Sequence, residues 1–212
     1  MNSQISIPTE HGPLYGQLLL PPSARGLVLL ARAGSGPEFT DAALAVILHR
    51  VGLASLAIDL LTHQENRFPD AQHNVSLHAK RLLDCLMFAK RQALNEALAS
   101  LPIGLYGSGS TSPVVVRIAA LRDNDISAVV CRGGLIDQAG ILYLRSLAAP
   151  LLVLVEANDE ALIASTRRAL QEISCRKELK PVADSGKDLA TSDAFAVVAH
   201  ETAQWFAQQW FV

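Results

Sequence analysis

The chain has 212 residues, of which 50% are hydrophobic and 5% aromatic, and its formal net charge is −2. This length favours a single domain over residues 1–212, and the large apolar share excludes a disordered chain. The sequence contains no block of like charge, so we expect no nucleic-acid partner.

The first residues, MNSQISIPTEHG, lack a basic region followed by an apolar stretch, so we expect no signal peptide. The longest apolar runs fall well short of the ~20 residues that span a bilayer, so no membrane partner is expected. Cys85, Cys131 and Cys175 form no CxxC pair, which favours reduced thiols in a cytoplasmic protein. The sequence indicates neither a metal site nor a cofactor, and it does not indicate an oligomeric state.

Short apolar runs alternate with longer amphipathic segments along the chain. The apolar runs predict five buried strands, at Gly26–Arg32, Ala54–Leu60, Pro102–Gly107, Ser127–Cys131 and Pro150–Glu156. Apolar residues at helical spacing predict helices over 38–52, 78–99, 112–122, 159–173 and 193–211. The opening ISIP and LYGQLLLPP predict an edge hairpin. Together they predict an α/β fold, with a doubly wound, mainly parallel sheet and helices on both faces.

The residues just after each strand are the candidates for function, because open α/β sheets bind ligands at the carboxyl ends of their strands. The first buried strand leads into ARAGSGPEF, the third into GSGSTSP and the fifth into EANDE, while the fourth ends in CRGG. Two Gly/Ser-rich turns, at Gly34–Gly36 and Gly107–Ser110, open helices and are expected to offer backbone N–H groups to an anion.

In their order and spacing, these stretches resemble the α/β-hydrolase superfamily, and more narrowly its dienelactone-hydrolase-like bacterial branch. The resemblance covers nearly the full length through GLVLLARAGSG, GLASLAIDLLT, IGLYGSGST, CRGGLIDQAG, APLLVLVEANDE and a terminal AQWF. It implies the fold predicted above without a large cap domain, and a hydrolase with a Ser-His-acid triad.

The triad that the resemblance implies is incomplete in this sequence. The nucleophile elbow, G-x-S-x-G, aligns so that Gly109 holds the nucleophile position. The acid falls on Asp159. A gap-free count back from the terminal Trp-Phe pair places Lys187 where the resemblance implies a histidine. The loop after the first buried strand has Ala33-Gly34 in place of His-Gly.

Ser110 is the alternative nucleophile, through a one-residue shift of the elbow. It would need a base, and a neutral Lys187 could serve only if Asp159 did not favour the charged ammonium. We do not expect a histidine to reach the elbow from any of the six positions, which are His11, His49, His63, His73, His78 and His200.

Simpler explanations exist for the same residues. Gly-Ser turns form for backbone reasons alone, since glycine tolerates positive φ and serine caps helices. Asp159 could simply cap the helix that follows it, and Arg132 could pair with Asp59 or Asp137.

Our working hypothesis is a divergent hydrolase-fold protein with an impaired triad and a cleft that binds a small molecule, with an anion as the expected guest. The ligand-binding candidates are Ala33, Gly34, Ser35, Ser108 and Arg132. The alternatives are an active serine hydrolase of small esters or lactones that uses Ser110, and a structural or partner-binding role.

Two geometric predictions follow from this hypothesis. Gly109 rather than Ser110 should hold the positive φ of the elbow, because glycine has no Cβ to clash in that conformation. Asp159 and Lys187 should lie within reach of a salt bridge, because the loops that carry the acid and the base approach each other in the family.

Overall fold

A computed structural model of the chain describes residues 2–10, 12–34, 38–91, 100–183 and 193–210. Its centre is an eight-stranded sheet with the order β1-β2-β4-β3-β5-β6-β7-β8. The strands are β1 (Asn2–Ile7), β2 (Leu14–Leu19), β3 (Leu27–Arg32), β4 (Ala54–Asp59), β5 (Ile103–Ser108), β6 (Ile126–Arg132), β7 (Leu151–Glu156) and β8 (Lys177–Val182). The edge hairpin β1–β2 is antiparallel and β2 pairs antiparallel with β4, whereas the other neighbours are parallel.

Helices cover both faces of this sheet. Those described are α1 (Glu38–Arg50), α2 (Val75–Lys90), α3 (Ser112–Leu121), α4 (Ile141–Ser146), α5 (Glu160–Gln171) and α6 (Asp193–Trp210). Residues of α1 and α6 form one apolar cluster with the sheet, and residues of α2 to α5 form another. The doubly wound, mainly parallel fold that the sequence predicts is therefore confirmed. Within the described residues, no helix has both the length and the apolar character needed to cross a membrane.

The degree of burial explains why the central strands were recognisable in the sequence. In β3, β5 and β7, five of the six residues are buried, because helices cover both faces of these strands. In β2 the residues alternate between buried and exposed, because one face packs on the core and the other does not. The sequence pattern of each strand thus reports how many of its faces are covered.

The structure also contains elements that the sequence analysis did not predict. Strand β8 has the sequence KELKPV and buries only Val182, so it lacked the apolar run used to find the others. Charged residues and a proline are typical of an edge strand that must not pair further. The short helix α4 was missed as well. Helix α2 begins at Val75, three residues before the predicted start, because Asn74 accepts a hydrogen bond from the backbone N–H of Leu77.

Candidate active site

The chain turns sharply between β5 and α3, where the sequence predicted a nucleophile elbow. Gly109 has a φ of +57° at this turn, which confirms the prediction that it holds the positive φ. A short 3-10 helix over Gly109–Thr111 follows and leads into α3. A Cβ built on Gly109 would meet no atom of the described residues within 4 Å, so they leave room for a side chain above the turn. The turn therefore has the backbone of an elbow with glycine at its centre.

Two hydroxyl groups fix this turn to its neighbours. The Oγ1 of Thr111 accepts a hydrogen bond from the backbone N–H of Ser108 at 2.9 Å and donates one to the carbonyl oxygen of Ala31 at 2.8 Å. The Oγ of Ser112 donates to the carbonyl oxygen of Gly133 at 2.7 Å. Ser112 is also fully buried, so its hydroxyl serves the packing of the turn and does not face the cleft.

The two glycines that follow β6 have different roles beside the elbow. Gly133 and Gly134 both have positive φ, at +59° and +74°. A Cβ on Gly134 would lie 2.0 Å from the carbonyl oxygen of Gly109, whereas a Cβ on Gly133 would meet no atom within 4 Å. Glycine at position 134 is thus required by the close approach of two backbones.

Ser108, Tyr106 and Arg132 come together at the carboxyl end of β5 and β6. Ser108 is exposed and lies opposite Arg132 in the register of the two strands. The hydroxyl of Tyr106 lies beside both of these side chains. Burial raises the pKa of this hydroxyl to about 12, although Arg132 and Ser108 act in the opposite direction. Tyr106 is therefore protonated near neutral pH and can donate a hydrogen bond. Ser110, the alternative nucleophile, is half-buried in the 3-10 helix.

The loop after β3 is already engaged with Asp59. The backbone N–H of Gly34 donates to Oδ1 of Asp59 at 3.3 Å, and so does the N–H of Leu61 at 3.0 Å. The prediction that this turn offers its N–H groups to an anion is therefore wrong for Gly34, because a carboxylate of the protein already accepts that bond. Ala33 is half-buried next to it, and Ser35 lies outside the described residues.

Asp159 is exposed at the start of α5. Its Oδ1 accepts a hydrogen bond from the backbone N–H of Leu162 at 2.9 Å, so it caps the helix. This contact matches the simpler explanation given above for Asp159. Lys187 lies outside the described residues, and the proposed contact between Asp159 and Lys187 therefore stays a prediction.

The described histidines differ widely in exposure. His78 in α2 is fully buried, and the backbone of Ala71 lies close to its ring. Burial lowers the pKa of His78, so its ring stays neutral near pH 7. His63, His73 and His200 are exposed.

A partly buried ion pair near His78 was missed in the sequence. Arg81 is 2% exposed, and its two terminal nitrogens each contact the carboxylate of Glu65 at 2.7 Å. It also donates to the carbonyl oxygen of Leu60 at 2.7 Å. Arg81 holds the pKa of Glu65 at about 2. The signal was available, because Arg81 follows His78 by three residues and precedes Cys85 by four, on the apolar stripe of a predicted helix.

The sheet order, the two helical layers and the sharp turn after β5 define an α/β-hydrolase fold without a large cap domain. A dienelactone hydrolase from Anabaena variabilis is similar to this chain, with a TM-score of 0.88 and 28% identity over 99% of this chain and 98% of that chain. Est1E from Butyrivibrio proteoclasticus has a TM-score of 0.76 and 14% identity, covering 97% and 98% of the two chains. The esterase domain of a Rhodothermus marinus protein has a TM-score of 0.76 and 16% identity, covering 98% of each. The resemblance to the α/β-hydrolase superfamily and its dienelactone-hydrolase-like branch is thus confirmed.

The similar proteins found among curated sequences are named as transferases and not as hydrolases. Two proteins from strains of Mycobacterium tuberculosis, each named "Putative phosphoribosyl transferase", are 31% identical to this chain over 197 residues. The match covers 92% of this chain but 43% of each relative, so the chain spans less than half the length of these relatives. No family model matches the chain.

Proposed function

We propose that this chain is a divergent α/β-hydrolase-fold protein that is impaired as a hydrolase and keeps its cleft as a binding site for a small anion. The observation that carries the proposal is Gly109, which occupies the positive-φ position of the elbow where a hydrolase of this fold places its nucleophile. Glycine supplies the turn but no nucleophilic atom, so the geometry is kept while the reacting group is absent.

The surrounding residues also favour impaired hydrolysis. The hydroxyl of Ser112 donates a hydrogen bond to the carbonyl oxygen of Gly133, and the carboxylate of Asp159 caps α5. His78 is buried away from solvent. A serine hydroxyl without a base is a poor nucleophile near neutral pH, so Ser110 would have little activity if Lys187 is charged.

Three donors favour an anion as the guest. The guanidinium of Arg132, the exposed hydroxyl of Ser108 and the protonated hydroxyl of Tyr106 lie together at the carboxyl ends of β5 and β6. The open space above Gly109 lies beside them and leaves room for a carboxylate or phosphate group. Hydrogen bonds that involve a charged partner are stronger than neutral ones, so such a group would gain most from Arg132. We keep a cytoplasmic location in this proposal, supported by three cysteines that are free thiols.

The alternative is a working hydrolase of small esters or lactones with Ser110 as its nucleophile. The observation that favours it is the similarity to proteins described as a dienelactone hydrolase and as esterases. The half-buried position of Ser110, one residue beyond the elbow's positive φ, would then require a changed turn in the reacting state.

We also propose that the transferase activity in the name of the mycobacterial relatives resides outside the region that matches this chain. More than half of each relative lies beyond the match, and the matched 92% of this chain has a hydrolase fold. The relatives would then combine a transferase part with a part like this chain.

Incubation with a fluorophosphonate probe separates the two main candidates. We expect no labelling of the peptide that contains Ser108, Ser110 and Ser112, as read by mass spectrometry, and no turnover of short p-nitrophenyl esters above background. Nucleophile and base act as a unit, so their joint loss leaves only the contributions of binding. Labelling or turnover that Ser110→Ala abolishes and Ser108→Ala retains would establish the hydrolase instead.

Calorimetric titration with succinate and with inorganic phosphate tests the anion site. We expect binding that Arg132→Gln weakens by roughly tenfold or more, since a charge-assisted bond is worth about 1.5–3 kcal/mol. Arg50→Gln, which removes an exposed arginine from α1, is the matched control and should leave binding unchanged. Equal effects of the two variants would contradict a site at Arg132.

A further inference from the structure

A groove lies between the β1–β2 hairpin and α1, on the face of the sheet that also carries α6. We propose that it is a second ligand site, separate from the elbow, and that it binds an uncharged heteroaromatic compound of nucleoside size. Its volume is about 730 Å³, within the range of roughly 300–1,000 Å³ that is typical of small-molecule pockets.

Small residues line part of this groove. Helix α1 contributes Ala42 and Ala45, and β4 contributes Ala57. Beyond them, the hairpin turns Tyr15 and Gln17 toward this side without a helix to cover them within the described residues. This part of the groove is therefore apolar, and its side chains are small enough to admit a flat molecule.

The hairpin wall offers paired hydrogen-bonding groups. Gln4 lies directly opposite Gln17 in the register of β1 and β2, and the Nε2 of Gln17 donates to the Oδ1 of Asn2 at 3.2 Å. A carboxamide carries one acceptor oxygen and two N–H donors side by side, so Gln17 keeps its oxygen and one N–H to offer. Asparagine and glutamine recognise the edge of adenine through this arrangement.

An aromatic ring stands beside this row. Tyr15 is 57% exposed and lines the groove. Bases stack on such rings, because every base has a flat face that a phenol can cover. A ligand with a heteroaromatic ring can therefore use the ring and the carboxamides at the same time.

The charge at the carboxyl end of the groove disfavours an anionic ligand. One terminal nitrogen of Arg32 lies 3.8 Å from Asp41 and the other lies 3.5 Å from Asp59. One guanidinium thus faces two carboxylates, and among the described residues no other lysine, arginine, aspartate or glutamate lines the groove. An added phosphate would meet excess negative charge here, so a nucleoside fits better than its monophosphate.

Calorimetric titration of the full chain with adenosine and with adenosine monophosphate tests this proposal. We expect adenosine to bind and the monophosphate to bind roughly tenfold more weakly or not at all. Ala42→Leu should narrow the groove and weaken adenosine binding by about tenfold or more, and Gln17→Ala should weaken it through the lost carboxamide. Thermal melts of each variant establish that it is folded.

Matched controls keep the result specific to the groove. Ala164→Leu on α5 and Gln138→Ala after β6 make the same changes at exposed positions elsewhere, and both should bind adenosine like the unaltered chain. Absence of adenosine binding, tighter binding of the monophosphate, or binding that neither Ala42→Leu nor Gln17→Ala weakens would overturn the proposal.

Discussion

Two connections at the carboxyl edge of the sheet are held in place by different forces. The elbow, residues 108–112, is fixed by glycine backbones and by two hydroxyls that bond to carbonyl groups. The strap, residues 60–74 after β4, is fixed by charges, since Asp59 accepts bonds from its start and Glu65 pairs with the buried Arg81. One connection depends on shape and the other on ionisation.

This difference explains how the elbow would keep its conformation if, as proposed, it has no nucleophile. Its conformation requires a positive φ at Gly109 and close contact with Gly134, and neither requirement involves a reacting side chain. The strap, in contrast, should respond to pH, because its partners are titratable. The comparison therefore predicts that mutations which change shape damage the elbow and that changes of charge damage the strap.

The largest effect should come from Gly134→Ala. Its Cβ would lie 2.0 Å from the carbonyl oxygen of Gly109, so the two backbones must separate. Overpacking and the positive φ at an alanine together should lower the free energy of unfolding by about 3–4 kcal/mol. Gly133→Ala is the matched control, and it should cost about 1 kcal/mol because only the φ is unfavourable there. Urea unfolding measures both, and equal losses would show that the two backbones are not in close contact.

The next effect should come from Glu65→Gln in the strap. This change leaves the guanidinium of Arg81, which is 2% exposed, without its charge partner. Breaking a buried pair costs about 3–5 kcal/mol, and the partial exposure of Glu65 lowers the expected loss to about 2–3 kcal/mol. Glu178→Gln on β8, where the contact with Lys180 is exposed, should change the stability by less than about 0.5 kcal/mol.

The pH at which the strap loses stability follows from the pKa of Glu65. Arg81 lowers this pKa from 4.5 to about 2 in the folded chain, so the pair stabilises fully above pH 4.5 and is lost as the pH falls toward 2. The stability of the Glu65→Gln variant should therefore depend less on pH in this window. An unchanged acid limb in urea unfolding would contradict the role assigned to this pair.

A separate loss of stability should begin at a higher pH because of His78. Burial lowers its pKa below 6.5 in the folded chain, so the unfolded chain takes up the proton first and the free energy of unfolding falls as the pH drops below 6.5. The backbone of Ala71 favours protonation of His78, as do Asp59 and Glu65, and Arg81 opposes it. The favourable contributions do not outweigh burial.

Replacing His78 with leucine should remove this part of the pH dependence. Unfolding by urea at pH 7.5, 6 and about 5 would show a flatter profile than for the unaltered chain. His200→Leu, which alters an exposed histidine of α6, should keep the original slope. Parallel profiles for His78→Leu and the unaltered chain would place the titrating group elsewhere.

The sequence predicted the parts of the molecule that depend on local pattern. The buried strands and the amphipathic helices repeat with the period of their own geometry, and the positive φ of Gly109 follows from the absence of a Cβ. The parts that failed depend on distant neighbours. Strand β8 is stabilised by pairing with β7 and not by its own apolar run, and the N–H of Gly34 is taken by Asp59, a residue 25 positions away.

The site was less predictable than the fold for the same reason. The sequence could place Ser108 and Arg132 after strands, and the parallel register brings them together. It could not show that Ser112 turns inward or that Tyr106 adds a buried hydroxyl beside them, because both facts depend on packing between elements. Sequence reasoning thus misses the residues whose side-chain orientation is set by packing against other helices and strands.

The smallest effects should occur at Asp159, which belongs to neither connection. Its exposed carboxylate caps α5, so Asp159→Ala should cost about 1 kcal/mol, whereas Asp159→Asn should cost almost nothing because asparagine caps equally well. If Lys187 does reach Asp159, the exposure of the carboxylate limits their coupling to about 0–1 kcal/mol. A double-mutant cycle of Asp159→Asn and Lys187→Met, followed by thermal unfolding, measures that coupling. A coupling of about 3–5 kcal/mol would mean that the pair is buried. The edge of the sheet that carries the elbow would then be stabilised by an ion pair as well as by close backbone packing.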